Sequence, residues 1–164
     1  MTAHKPRERI IQRIRVCLGI MIAGLVVSGA TAIPLEAELH LLAQITNFLG
    51  LAADSGLSLW LANIQTALRE TNAHFPFMAY GTDWLAFAHF VIAIVFIGPW
   101  RDPVKNVWVI QFGMIACVLI VPFALGMGAV RGIPLGWRLI DCSFGVGGII
   151  PLWLCYRAVK KLAH

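Results

Sequence analysis

Four long apolar stretches decide which solvent this 164-residue chain can fold in. A helix satisfies its backbone internally, and it needs about 20 apolar residues to cross a hydrocarbon core about 30 Å thick. Residues 16–35 and 107–130 meet that length without a single Asp, Glu, Lys or Arg. Residues 84–100 form a shorter third stretch that extends back through Met78, and residues 135–156 form a fourth that carries Arg138 and Asp141 near its start. Composition agrees: 59% of the residues are hydrophobic, 13% are charged and the mean hydropathy is +0.79. Soluble domains are roughly half apolar and a quarter charged. The expected fold class is therefore an all-α membrane protein. It is a single membrane domain over residues 1–164, an antiparallel four-helix transmembrane bundle with spans at about 16–35, 80–100, 106–128 and 135–157. Two short amphipathic helices lie on the outer side, in the segment 36–77.

Lys and Arg accumulate on cytoplasmic flanks, and ten of the thirteen basic residues fall on flanks that share one side: Lys5, Arg7, Arg9, Arg13, Arg15, Arg101, Lys105, Arg157, Lys160 and Lys161. The other side holds Arg69, Arg131 and Arg138 against six acids, Glu36, Glu38, Asp54, Glu70, Asp83 and Asp141. This pattern predicts that both termini are cytoplasmic. The basic N-terminus reads as the positive flank of a first span rather than as a nucleic-acid arm, so no nucleic-acid partner is expected. Ala30, Thr31 and Ala32 form an A-x-A-like site after that span. The apolar run before it exceeds the roughly 7–15 residues of a signal-peptide core, so it is read as a retained span. Cys17, Cys117, Cys142 and Cys155 are scattered through the spans with no C-x-x-C pair, which gives neither a disulfide framework nor a dithiol redox site.

The outer segment has helical periodicity. Pro34 suits the first turn of a helix with Leu35, Leu39, Leu42, Ile45 and Leu49 on one face and Glu36, His40, Gln44 and Asn47 on the other, ending at Gly50. Asp54 or Ser55 caps a second helix with the stripe Leu57, Trp60, Leu61, Ile64 and Leu68, leaving Ser58, Gln65 and Arg69 toward water. Glu38 breaks the pattern. At about 100° per residue it falls inside the apolar arc of the first helix, where a carboxylate needs a cationic or hydrogen-bonding partner, with Arg138 and Arg131 as the candidates.

Small and polar residues mark where helices pack in a bilayer, because lipid gives no hydrophobic reward for burying large side chains. Those faces are Gly19 with Ala23 and Gly24 with Ser28 on span one; Thr82, Ala86, His89 and Ala93 on span two; Gly113, Cys117, Ala124 and Gly128 on span three; and Arg138, Asp141, Cys142, Gly145 and Gly148 on span four. Charged groups at membrane depth usually face a bundle interior or an aqueous cavity. Glu38, Asp83, His89, Arg138 and Asp141 accordingly form a candidate ligand-binding cluster at the outer end, with Arg138 and Asp141 three apart and able to pair. Asp83 has a plainer reading as a helix cap.

Three functions fit such a cluster. It can be a polar network fixing helix register in a structural or accessory subunit of a homo-oligomer or membrane complex. It can be a pocket for a lipid head group, a small polar solute or a metal. It can also be a membrane-embedded enzyme site, with His89 as acid or base, Asp141 orienting it and Cys142 as a remote nucleophile. The sequence names no cofactor and no metal: it has no H-E-x-x-H, G-x-S-x-G or phosphate loop, and bis-histidine haem ligation would have to draw on His40 or His74 from outside the spans. Four spans without an inverted repeat also leave little room for alternating access by one copy.

The tracts AYGTDWLAFAH at residues 79–89 and RLIDCSFG at residues 138–145 resemble stretches of a family of small bacterial four-span integral membrane proteins. The resemblance covers all four spans. It implies a bacterial inner-membrane setting, and no activity or catalytic residue comes with it.

Overall fold

A chain that must satisfy its backbone in hydrocarbon has helices as its simplest solution, and among the described residues the protein is helical with no strand. The computed structural model describes residues 4–50, 52 and 55–163, with side chains for residues 7–50, 52 and 55–162. The helices are α1 (His4–Ala32), α2 (Leu35–Phe48), α3 (Gly56–His74), α4 (Tyr80–Val95), α5 (Ile97–Arg101), α6 (Val107–Val130) and α7 (Leu135–Ala163), with a 3₁₀ turn at Pro76–Ala79 before α4. Among the described residues, four segments are long and apolar enough to cross a membrane: Arg7–Ala32, Pro76–Arg101, Val107–Val130 and Leu135–Leu162. The first begins well before residue 16 because Arg, Gln and Ile continue a helix readily past the apolar run. It stops at Ala32, two residues before Pro34, because a residue preceding proline is pushed out of the α region.

The chain divides into two compact units, Met1–Gly24 with Ile92–His164, and Leu25–Val91. The first unit takes its core from every span. Ile14 and Leu18 of α1, Ala93 and Phe96 with Pro99 around α4 and α5, Val109 and Ile110 of α6, and Leu152, Cys155 and Val159 of α7 are all buried. Gly113 of α6 lets the centre close, since a methyl there would stand 2.7 Å from Phe96 Cζ and 2.9 Å from Leu152 Cδ1. Asn106 Nδ2 donates to the carbonyls of Gly98 and Asp102 (3.2 and 3.0 Å), which ties the α5–α6 turn together. The turn between α6 and α7 is a Schellman motif. Gly132 takes φ +68, its N–H donates to the Ala129 carbonyl, and the Ile133 N–H donates to the Gly128 carbonyl. Four residues thus bring α7 back antiparallel along α6. Outward-facing side chains such as Val16, Val118, Phe123 and Leu154 are large, apolar and exposed, a surface that lipid tails satisfy and water does not.

In the second unit, α2 and α3 form an antiparallel pair. Gln65 Nε2 donates to the Leu39 carbonyl at 2.9 Å and Asn72 Nδ2 donates to Glu36 Oε1 at 2.5 Å. Gln65, expected to face water, instead satisfies a backbone carbonyl of the partner helix. The remaining α3 stripe is as expected, with Leu61 buried and Leu57, Trp60, Ile64 and Leu68 half-buried. Ser55 caps α3, accepting from the Ser58 N–H at 3.3 Å; Asp54, the other candidate, lies outside the described residues. Gly50 ends α2 with φ +70, its N–H donating to the Asn47 carbonyl. The packed face of α2 is rotated from the expected one: Leu39 and Thr46 are buried, and Leu42 and Ala43 half-buried. Ile45 and Leu49 are exposed, because apolar residues cover more of α2 than one neighbouring helix can. The end of α1 packs on α4 through Gly29, where a methyl would stand 2.9 Å from Phe90 Cε1 and 3.0 Å from the Ala86 carbonyl oxygen.

Candidate functional site

The five candidate residues fall in both units: Arg138 and Asp141 in the first, Glu38, Asp83 and His89 in the second. In the first unit the polar face of α7 runs up a seam in α6. Arg138 is half-buried, and its aliphatic stem lies over Gly128, where any β-carbon would collide with it. Its Nη1 donates to the Leu125 carbonyl at 3.3 Å, while Nε is buried without a partner. One turn along, the Cys142 thiol points at the Val121 carbonyl at 4.0 Å. The seam then closes at Gly145, with the Cys117 carbonyl oxygen 2.5 Å from where a methyl would be, and at Gly148, 2.8 Å from Cys117 Sγ on the same measure. This is the small-residue packing that the sequence predicts for spans three and four.

The expected Arg138–Asp141 pair does not form. Among the described residues neither takes part in an ion pair, and Asp141 is half-buried. The cause is geometric, because the room left by Gly128 draws the guanidinium across to α6 instead of along its own helix. Asp141→Asn is therefore expected to change stability by under about 1 kcal/mol, whereas Arg138→Ala, which removes a charged hydrogen bond and leaves the Gly128 notch empty, is expected to cost about 2–4 kcal/mol. The double substitution should be additive within about 0.5 kcal/mol. Detergent unfolding of the four proteins measures this, and a coupling above about 2 kcal/mol would restore the pair.

In the second unit, His89 is half-buried, and its Cβ lies 3.1 Å from where a methyl on Gly29 would stand. Its Nδ1 lies 2.7 Å from the Leu85 carbonyl. A carbonyl only accepts, so Nδ1 carries a proton and donates it there. Asp83 is exposed in the first turn of α4 and caps no amide among the described residues; the 3₁₀ turn at Pro76–Ala79 already leads into the helix, and Thr82 Oγ1 donates to the Ala79 carbonyl at 2.7 Å. Glu38 is exposed, not turned into a core. Within this unit Glu38, Asp83 and His89 share no hydrogen bond or ion pair among the described residues, and no three His, Cys, Asp or Glu side chains in the described residues converge as metal ligands would.

Two packing sites were not evident from sequence. Gly29 is a close contact of α1, although the four-residue spacing of small residues points to Gly19 with Ala23 and Gly24 with Ser28. Gly19 does pack, a methyl there standing 2.9 Å from Trp100 Cζ3, but Gly24 has no atom within 4 Å. The Leu125 carbonyl is the other; backbone acceptors carry no sequence signal, and only Gly128 one turn away hints at it. Comparison with known proteins finds no matching family model, no matching curated relative and no matching solved structure.

Proposed function

We propose that this chain is a structural or accessory subunit of a membrane assembly, built as a single membrane domain whose polar residues serve helix assembly. The observation that carries the reading is the donation from Arg138 Nη1 to the Leu125 carbonyl across the Gly128 notch. A guanidinium committed to a neighbouring backbone fixes the register of α6 against α7, and a buried polar contact with that role is well attested where helices must find one alignment. The proposed setting is a bacterial inner membrane with both termini cytoplasmic, supported by the segregation of ten of the thirteen basic residues and by the family resemblance of the tracts at 79–89 and 138–145.

The test is gentle solubilisation of native membranes followed by native electrophoresis and mass spectrometry. The 18.0 kDa chain is expected in a discrete species larger than one copy, either with itself or with other membrane proteins. A second reading, a binding protein for a lipid, small polar solute or metal that draws on polar residues of one unit or the other, is favoured by the Arg138 Nε, buried without a partner among the described residues, in the first and by His89 in the second. A single copy carrying a small ligand that His89→Ala removes without unfolding would select it over assembly. For the orientation, a Lys105→Cys variant is expected to react with an impermeant maleimide only after the inner membrane is opened, and labelling of intact cells would reverse it.

A further inference from the structure

At the end of the first unit where residues 7 and 162 meet, a cleft of about 160 Å³ opens between the start of α1, the α5–α6 turn and the end of α7. The helical repeat puts Arg7, Ile11, Ile14 and Arg15 on one face of α1, so two guanidinium groups flank two isoleucines. Arg101, the last residue of α5, supplies a third guanidinium. Among the described residues none of the three is ion-paired. The one carboxylate on the lining, Asp102, is already engaged: Oδ1 accepts from the Lys105 N–H at 3.1 Å and Oδ2 lies 3.8 Å from Lys105 Nζ. Ile11 and Leu162, both half-buried, give the lining apolar surface over the buried Ile14, and Trp100, 37% exposed, forms a wall.

Three unpaired guanidinium groups around one small cleft repel one another, and an anion relieves that repulsion. Arginine forks match phosphate oxygens two at a time. Ile11 and Leu162 beside the arginines, with an indole of the kind enriched at membrane interfaces, suit a ligand that is charged at one end and carbon-rich at the other. Other positive charge at this end is arranged differently: Arg157 lies over the Trp153 ring at 4.7 Å and Lys160 over Tyr156 at 5.0 Å, on α7 and off the cleft lining.

We propose that this cleft binds a phosphate-bearing anion, with Arg7, Arg15 and Arg101 on the phosphate oxygens and Ile11 and Leu162 against the ligand's carbon skeleton. Both an anionic phospholipid head group and free phosphate carry that chemistry. The experiment uses the full chain in a neutral detergent at fixed ionic strength, with native mass spectrometry titrations of dioctanoyl phosphatidylglycerol, dioctanoyl phosphatidylcholine and inorganic phosphate. Phosphatidylglycerol is expected to bind at least tenfold tighter than phosphatidylcholine. Each of Arg7→Gln, Arg15→Gln and Arg101→Gln is expected to weaken it about fivefold, while Arg157→Gln leaves it within twofold. If inorganic phosphate displaces the lipid at equal concentration, the site is a phosphate site and the proposal stands with that source; if it does not compete, the source is lipid. Equal binding of the two lipids by the wild-type protein, which needs no variant to fold, overturns the proposal. So does a loss on Arg157→Gln as large as that on Arg101→Gln, which would reduce the effect to diffuse charge.

Discussion

Gly145→Val is expected to abolish the folded α6–α7 pair, and Gly145→Ala to destabilise it by about 3 kcal/mol, near the upper end of ordinary overpacking. A methyl at this position would stand 2.5 Å from the Cys117 carbonyl oxygen and 3.4 Å from Ile120 Cβ. A carbonyl oxygen in the middle of a helix cannot rotate aside as the tip of a side chain can, so the helices must separate. Separation then forfeits the dispersion contacts that hold helices together where no hydrophobic effect operates. Gly147, two residues on, is the matched control: nothing lies within 4 Å of a methyl there. Gly147→Ala removes the conformational freedom of a glycine within a helix and is expected to stabilise by about 0.5–1 kcal/mol. Thermal unfolding in one detergent, followed by circular dichroism, compares them. If the two alanine variants melt together, the close approach at Gly145 is wrong.

Phe96→Ala is expected to cost about 3–5 kcal/mol, the range for emptying a buried aromatic site. Phe96 is 1% exposed and its ring tip fills the hollow left by Gly113. Gly113→Ala alone should cost about 1–3 kcal/mol, because its methyl meets two movable side-chain ends, Phe96 Cζ and Leu152 Cδ1. Shrinking one partner while enlarging the other should recover part of the loss. Phe96→Leu with Gly113→Ala is expected to be more stable than the sum of its parts by about 1–2 kcal/mol, a coupling typical of residues in contact. Reversible unfolding in mixed micelles reads all four corners of that cycle. Strict additivity would mean that the ring and the glycine do not touch.

What the sequence made legible follows from what membranes constrain. Residues 107–130 carry no charge and had to be a helix; α6 covers that whole run and so ends two residues beyond the span expected at about 106–128. Small residues at Gly113, Cys117, Gly145 and Gly148 marked the packed faces because only a seam, and never lipid contact, requires them. Ends were harder to read. Helix α1 extends well before residue 16 because charged residues with good helix propensity continue a helix beyond its apolar run. The polar cluster was least legible, since sequence spacing shows which residues share a helix face but not which acceptor lies opposite. Arg138 and Asp141 share a face of α7 and still do not pair, because Gly128 offers the arginine room on α6. Gln65, counted as solvated from its position on α3, reaches a carbonyl 26 residues away in the chain. The arginine cleft has no signature in the sequence for a similar reason: Arg7, Arg15 and Arg101 each lie on an ordinary positive flank and come together only in the fold.

The surplus of apolar surface on α2 is expected to set how deep that helix would lie at a membrane surface. Leu41, Ile45, Phe48 and Leu49 are 55%, 44%, 91% and 67% exposed, and together they would draw α2 into the acyl region. Interfacial helices of this kind bury their apolar face about 5–10 Å below the head groups. Glu38 projects from the middle of that same open stripe, and a carboxylate carried into hydrocarbon costs several kcal/mol. The two tendencies balance where the aliphatic side chains are under the head groups and the carboxylate still meets water. Glu38 is thus expected to act as a float on an otherwise sinking helix: depth-dependent quenching of a fluorophore at Leu41 should report a deeper position with Glu38→Gln than without it, and an unchanged depth would refute this.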